Sequence, residues 1–373
     1  MKICIICGYY NYRGNESKSQ GGAEYQAFLL ARELIHNNNQ VSFISIGDRD
    51  EILFDDKITV YYLRKRKLFR KFGPYYILDY FKIKKLIISI NPDVIYVRGG
   101  SANVGIACWI ARKQQIKVVF HVSHDRDVEK YHISWNLNKI LYNIDDLMRI
   151  YGLKRSTIIC QTNYQQRRVK QNFNKDSILV RNFHPIPSLP QEIIKENIVC
   201  WIGNIKEAKN PLAFIELANQ LRDHEYKFVM AGRRPEGGPL EKVFTESIKL
   251  ANVKYLGEIS NDDVNQLLLR SKILCSTSYS EGFPNVFIQA WIHKVPVLSL
   301  FVDPDNLLET NKIGFKLGSI EKMAEKIKEL MENDHLLQLY ANNAHKFAIA
   351  HFDIEKNVQR IIRLFQNHLL NKC

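Results

Sequence analysis

The chain has 373 residues, of which 46% are hydrophobic and 25% charged, with a formal net charge of +14. That length predicts two domains with ample core, and the composition excludes a disordered or fibrous chain. No apolar run approaches the ~20 residues that cross a bilayer. The start, Met1 to Gly8, lacks the length and cleavage pattern of a signal peptide, so a cytoplasmic location is expected. Seven scattered cysteines fit a reducing compartment. Cys4 and Cys7 form a lone CxxC with no second pair, and they read as small buried hydrophobes.

In chain order, Ile3–Gly8 is an apolar run with no polar face, the pattern of a strand covered on both sides. A polar loop over residues 9–22 leads into Ala23–His36, with apolar spacing near 3.6. Val41–Ile46, Thr59–Leu63, Val94–Val97, Lys117–Val122 and Thr157–Gln161 predict further strands, and Tyr76–Ile90 and Ala102–Lys113 predict helices between them. The alternation implies a doubly wound parallel sheet with ligands at the carboxyl ends of its strands.

The excess of positive charge lies wholly in this half. Residues 1–185 hold 30 Lys+Arg against 16 Asp+Glu, and residues 186–373 hold 23 of each. The densest cluster is Arg64, Lys65, Arg66, Lys67, Arg70 and Lys71, followed by Phe72, Tyr75 and Tyr76. Cations interleaved with aromatics suit an anionic membrane surface, where each Lys or Arg adds about 1 kcal/mol. A solvated basic loop is the plainer reading. Nucleic acid is disfavoured because no nucleic-acid module is visible.

Pro185, Pro187 and Pro190 make a stiff connector and mark a boundary between domains 1–185 and 186–351. Beyond it Ile198–Ile202, Phe228–Ala231, Val253–Leu256, Ile273–Cys275 and Val297–Leu300 predict strands. Leu212–Leu221, Leu240–Lys249, Asp262–Leu269 and Pro284–His293 predict helices, and the last ~50 residues read as all helical. The most informative stretch runs from Glu281 through Gly282, Phe283, Pro284, Asn285 and Val286 to Gln289. It follows the apolar run Lys272–Ser278 and opens a helix with Pro284 expected at its first position. Such a bend aims backbone N–H groups and the helix dipole at one point, a place for phosphate. Glu281 and Gln289 add oxygens for hydroxyls, so a nucleotide sugar fits.

This stretch, with Val253–Gly257 and Lys294–Val297 around it, Gly203–Lys209 after a strand and the pair Gly21-Gly22 before the first helix, resembles the family-4 glycosyltransferases of group 1 type. The resemblance implies the GT-B fold: two Rossmann-like doubly wound parallel-sheet domains facing across a cleft, acceptor-side 1–185 and nucleotide-sugar-binding 186–351. It also implies that the last helix, within 352–373, packs back on the first domain. It implies retaining, metal-independent transfer from a UDP- or GDP-sugar with no cofactor, to a lipid-linked or polysaccharide acceptor at the cytoplasmic membrane face. In that family Lys209 matches the diphosphate lysine, Glu281 contacts the donor sugar and position 289 the ribose. Gly21 and Gly22 let backbone approach the reacting groups. Positioned cations and N–H donors stabilise the leaving diphosphate.

Two positions depart from the family pattern. Gln289 stands where the family has a second glutamate, and Asn204 where it commonly has an arginine. An amide accepts on one side only, at a cost of ~1–2 kcal/mol in donor binding. They motivate an alternative reading as a non-catalytic nucleotide-sugar-binding subunit, beside a sugar-nucleotide epimerase of the same fold. On the acceptor side His124 is the expected catalytic histidine, with His121 a core residue. His293 is a weaker candidate ligand, and Tyr279 is expected to be structural.

Overall fold

A computed structural model describes residues 1–10, 21–47, 50–64, 79–130, 140–234 and 237–370. The chain divides into two compact units, one of Met1–Asn182 with the segment from Ile354 onward, the other of Phe183–Asp353.

The first unit is built on strands β1 (Lys2–Ile6), β2 (Gln40–Gly47), β3 (Glu51–Asp55), β4 (Ile58–Arg64), β5 (Val94–Arg98), β6 (Lys117–His121), β7 (Thr157–Cys160) and β8 (Ile178–Leu179). In space they run β3-β4-β2-β1-β5-β6-β7-β8. All pair in parallel, as expected, except β3 with β4, and β3 is a strand that the sequence pattern does not predict. Only Asp56 and Lys57 separate these two strands, and so short a link permits only a hairpin. Side chains alternate across the sheet. Cys4, Ile6, Ile95 and Val97 join one core with helices Tyr80–Ile90, Ala102–Ala111 and Ile140–Arg155. Tyr96, on the opposite face, meets Phe365 of the terminal helix Ile354–Leu370 edge to face at 6.4 Å. That helix packs on helix Gly22–His36, and Lys117 Nζ donates to the Leu364 carbonyl at 2.5 Å. Helix Asn163–Phe173 escapes sequence periodicity because only Gln165 and Val169 are buried along it.

The second unit has strands β9 (Ile198–Ile202), β10 (Lys227–Ala231), β11 (Val253–Tyr255), β12 (Ile273–Ser276), β13 (Val297–Ser299) and β14 (Gly314–Lys316), all parallel, ordered β11-β10-β9-β12-β13-β14. Val199, Trp201, Phe228 and Met230 pack against helices Pro211–Gln220 and Ile320–Glu332. The alternate residues Ile198, Cys200, Val229 and Leu274 pack against helices Asn261–Arg270 and Asn285–Ile292. From β9 the chain moves outward to β10 and β11, then returns to place β12 on the other side of β9. This reversal is the switch point at which open parallel sheets bind ligands. None of the described helices is long and apolar enough to cross a membrane.

Candidate active site

Because β9 and β12 are parallel neighbours, the loops leaving their carboxyl ends emerge side by side. After β9 the chain passes Gly203, Asn204, Ile205 and Lys206 into one 3-10 turn, Glu207–Lys209. Asn210, left-handed at φ 48, then turns it into helix Pro211–Gln220. After β12 it passes Thr277, Ser278, Tyr279, Ser280, Glu281, Gly282 and Phe283 to Pro284, which caps helix Asn285–Ile292. Pro284 thus sits one position earlier than expected, because its ψ of 119° is extended and helical geometry begins at Asn285. The first turn of that helix has N–H groups with no carbonyl partner inside the helix, at the positive end of its dipole.

Several contacts lock the two loops together. The Lys209 ammonium pairs with the Glu281 carboxylate, with side chains 32% and 17% exposed respectively. The Thr277 hydroxyl donates to the Lys209 carbonyl at 2.8 Å, and the Tyr279 N–H to the Ala208 carbonyl at 3.1 Å. Trp201 Nε1 on β9 donates to Thr277 Oγ1 at 2.9 Å. On the other side of β9, Gly232 follows β10 with φ 147, a conformation open only to glycine. A Cβ there would stand 1.8 Å from the Gly203 carbonyl oxygen. The loop after β9 is therefore laid directly on the end of β10, where the Ile205 N–H donates to the Arg233 carbonyl at 2.9 Å.

Along the helix, Phe283 and Gln289 are each 5% exposed. The Phe283 ring packs on Trp291 and Phe352, so its side chain belongs to the core. Val286 packs against the same core. Gln289 Nε2 donates to Asn261 Oδ1 at 3.5 Å, at the start of helix Asn261–Arg270. His293 is not placed as a ligand. It is buried, its Nδ1–H donates to the Gln289 carbonyl at 2.7 Å, and burial lowers its pKa.

In the first unit the corresponding switch lies between β1 and β5. Gly21 caps helix Gly22–His36. A Cβ on Gly21 would fall 2.7 Å from a Glu24 carboxylate oxygen, and one on Gly8 2.7 Å from Glu24 Cγ. Both glycines make room for Glu24. Arg98, the last residue of β5, is buried. Its Nη2 donates to Asn182 Oδ1 at 2.6 Å and its Nη1 to His121 Nδ1 at 2.9 Å. Burial first, and Arg98 second, hold His121 well below the ordinary 6.5, so it is neutral. His124 caps the 3-10 turn Asp125–Val128, its Nδ1 accepting the Arg126 N–H at 3.2 Å. Its Nε2 has no partner among the described residues.

Residues 20–183 match the family Glycosyltransferase Family 4, and residues 190–347 match Glycosyl transferases group 1. The chain belongs to the GT-B glycosyltransferases of group 1. This glycosyltransferase is 25% identical over 376 residues to the GalNAc-alpha-(1->4)-GalNAc-alpha-(1->3)-diNAcBac-PP-undecaprenol alpha-1,4-N-acetyl-D-galactosaminyltransferase of Campylobacter jejuni, covering 95% of this chain and 97% of the relative. It is 26% identical over 256 residues to the poly(ribitol-phosphate) alpha-N-acetylglucosaminyltransferase of Staphylococcus aureus, covering 67% of this chain and 50% of that one. Its fold matches that of Anabaena HepE in complex with UDP, with TM-score 0.74, 18% identity and coverage of 98% and 100%. Sucrose-phosphate synthase from Thermosynechococcus elongatus matches with TM-score 0.74, 14% identity and 99% coverage of each chain.

Within the glycosyltransferase, the structure brings Lys209 against Glu281, with Gly282, Pro284 and Asn285 on the same bend. Gly21, Gly22 and His124 lie in the other unit. Of the basic cluster, Arg64 closes β4 and its N–H donates to Asp50 Oδ1 at 2.8 Å. Lys65, Arg66, Lys67, Arg70 and Lys71 lie outside the described residues. Among the described residues no three His, Cys, Asp or Glu side chains gather as metal ligands. Sequence reasoning passes over Arg98. A charge directly after the apolar run Val94–Val97 is the signal that marks Arg98.

Proposed function

We propose that the glycosyltransferase moves a sugar, with retention, from a UDP- or GDP-sugar to a lipid-linked or polysaccharide acceptor at the cytoplasmic face of the membrane. One observation carries the donor side: Lys209 and Glu281 meet across the β9–β12 switch, beside the start of helix Asn285–Ile292. A diphosphate there takes the ammonium and the helix amides, and both strengthen as negative charge grows on the leaving group. Glu281, relieved of its cation, accepts hydroxyls of the sugar. Gln289, buried beside Asn261, takes the ribose. His124 holds its ring by the cap bond and offers Nε2 to a substrate hydroxyl. The residues supply this without a metal or cofactor.

UDP is the first nucleotide to test, since the Anabaena structure holds it. A lipid-linked or polymeric acceptor is supported by the names of the Campylobacter and Staphylococcus relatives. Peripheral membrane docking is supported by the charge asymmetry and by exposed Phe81 and Trp109, with Lys82, Lys85, Arg112 and Lys113 exposed on the same segments. Incubation with labelled UDP- and GDP-sugars and undecaprenyl-diphosphate glycans tests the reading. Anomer-retaining transfer is expected, whereas isomerised nucleotide sugar, or binding without turnover, rejects it. Flotation on anionic vesicles is expected and should weaken with Phe81→Ser and Trp109→Ser. Unchanged flotation rejects that docking.

A further inference from the structure

Tyr279 and Phe301 break the usual rule for large aromatic side chains. They are 60% and 39% exposed, yet their rings stack on each other, with centroids 5.5 Å apart and planes within 18°. Tyr279 follows β12 and Phe301 follows β13, and these strands pair in parallel from Leu274 with Val297 to Ser276 with Ser299. The Leu300 N–H donates to the Ser276 carbonyl at 2.9 Å, and the Val302 N–H to Ser299 Oγ at 3.1 Å, which fixes the Phe301 loop. Tyr279 is fixed from the other side by its N–H bond to Ala208, next to Lys209, and Glu281 lies two residues on. The Tyr279 phenol has no hydrogen-bond partner among the described residues. A flat, water-exposed aromatic surface with an open hydroxyl is therefore carried on the same loop as the Lys209–Glu281 bend.

We propose that this pair is a platform for a pyranose ring of the acceptor glycan. A pyranose presents C–H groups on one face and hydroxyls at its rim, so it can cover the aromatic surface while its rim bonds the phenol. A nucleobase would also stack, but the order of the strands argues against it. With the diphosphate at Lys209 and the ribose at Gln289 beside Asn261, the nucleoside lies toward β11, whereas Tyr279 and Phe301 lie on the β13 side of β12. The inference thus rests on the donor reading above.

The test uses the full chain with Tyr279→Ala, Phe301→Ala and the conservative Tyr279→Phe. Alanine at 279 keeps the backbone bond to Ala208, and the exposure of the side chain predicts an unchanged Tm. Titration with UDP and a UDP-sugar, then an array of hexose and N-acetylhexosamine oligosaccharides probed with UDP-saturated protein, separates the cases. Glycan binding should fall about fivefold to tenfold in each alanine variant and largely recover in Tyr279→Phe, with UDP affinity unchanged. Loss confined to the UDP-sugar keeps the pyranose platform but moves the ring to the donor, which overturns the acceptor assignment. Equal loss for UDP itself, or no loss anywhere, overturns the platform. Wild-type protein that fails to bind UDP refutes the donor reading instead.

Discussion

Replacing Lys209 by methionine isolates the diphosphate from the rest of the nucleotide. The pair it breaks is intermediate in burial, 32% exposed on the lysine side and 17% on the glutamate side, so its worth to folding is near that of a surface pair, about 1 kcal/mol or less. Methionine fills much of the same volume, and Tm should fall by only a few degrees. Nucleotide binding should suffer more. A charge-assisted hydrogen bond to phosphate contributes about 1.5–3 kcal/mol, and an unpaired Glu281 carboxylate then repels the diphosphate. Against this, the wild-type ammonium must leave Glu281 to bind, which offsets part of the gain. The balance predicts UDP binding weaker by roughly tenfold to a hundredfold. Calorimetric titration should show that loss for UDP and little for uridine, and Glu281→Gln should partly restore UDP affinity in the double variant. UDP affinity within twofold of wild type, or an equal loss for uridine, refutes the placement of the diphosphate at Lys209.

Gly232→Ala forces a Cβ to within 1.8 Å of the Gly203 carbonyl at a backbone φ of 147, so a loss of roughly 3 kcal/mol is expected, read by denaturant unfolding, with weaker UDP binding as the loop after β9 shifts. Gln289→Glu places a carboxylate near the start of helix Asn261–Arg270, where the dipole favours it, so UDP affinity should hold or rise; abolished binding rejects the ribose assignment. His184 is buried, and burial lowers its pKa to about 4, so the unfolded chain binds its proton from pH 6.5 downward while the folded chain does not. Its contribution is present in full above pH 6.5 and lost as the pH falls to about 4, about 3 kcal/mol in all, and His184→Gln should flatten that acid limb in a series of unfolding curves.

The candidate site was legible to different depths. The bend at Glu281 is local: an apolar run, a glycine, a proline and a helical stripe fall in order within ~20 residues, and short-range periodicity reports such an order. The missed first position of Pro284 is a matter of one ψ angle, which the φ preference of proline does not fix. His293 drew notice as a helical neighbour of Gln289, yet the carbonyls it satisfies at the end of that helix appear in no sequence pattern. The exposure of Tyr279 is a property of the folded surface, which no pattern of neighbouring residues reports.

The sequence by itself determined that strands and helices alternate in two sets, that charge gathers in the first half, and that a glutamate-bearing turn opens a helix. Each of these is a periodicity or a composition, written in neighbouring residues. Only the tertiary structure decided that β12 returns beside β9, which brings Lys209 to Glu281 across 72 positions of chain, that β3 runs antiparallel, and that Gly232 must lack a side chain. Strand order and close backbone approach are set by how whole layers pack against each other, and no short window of residues contains that information.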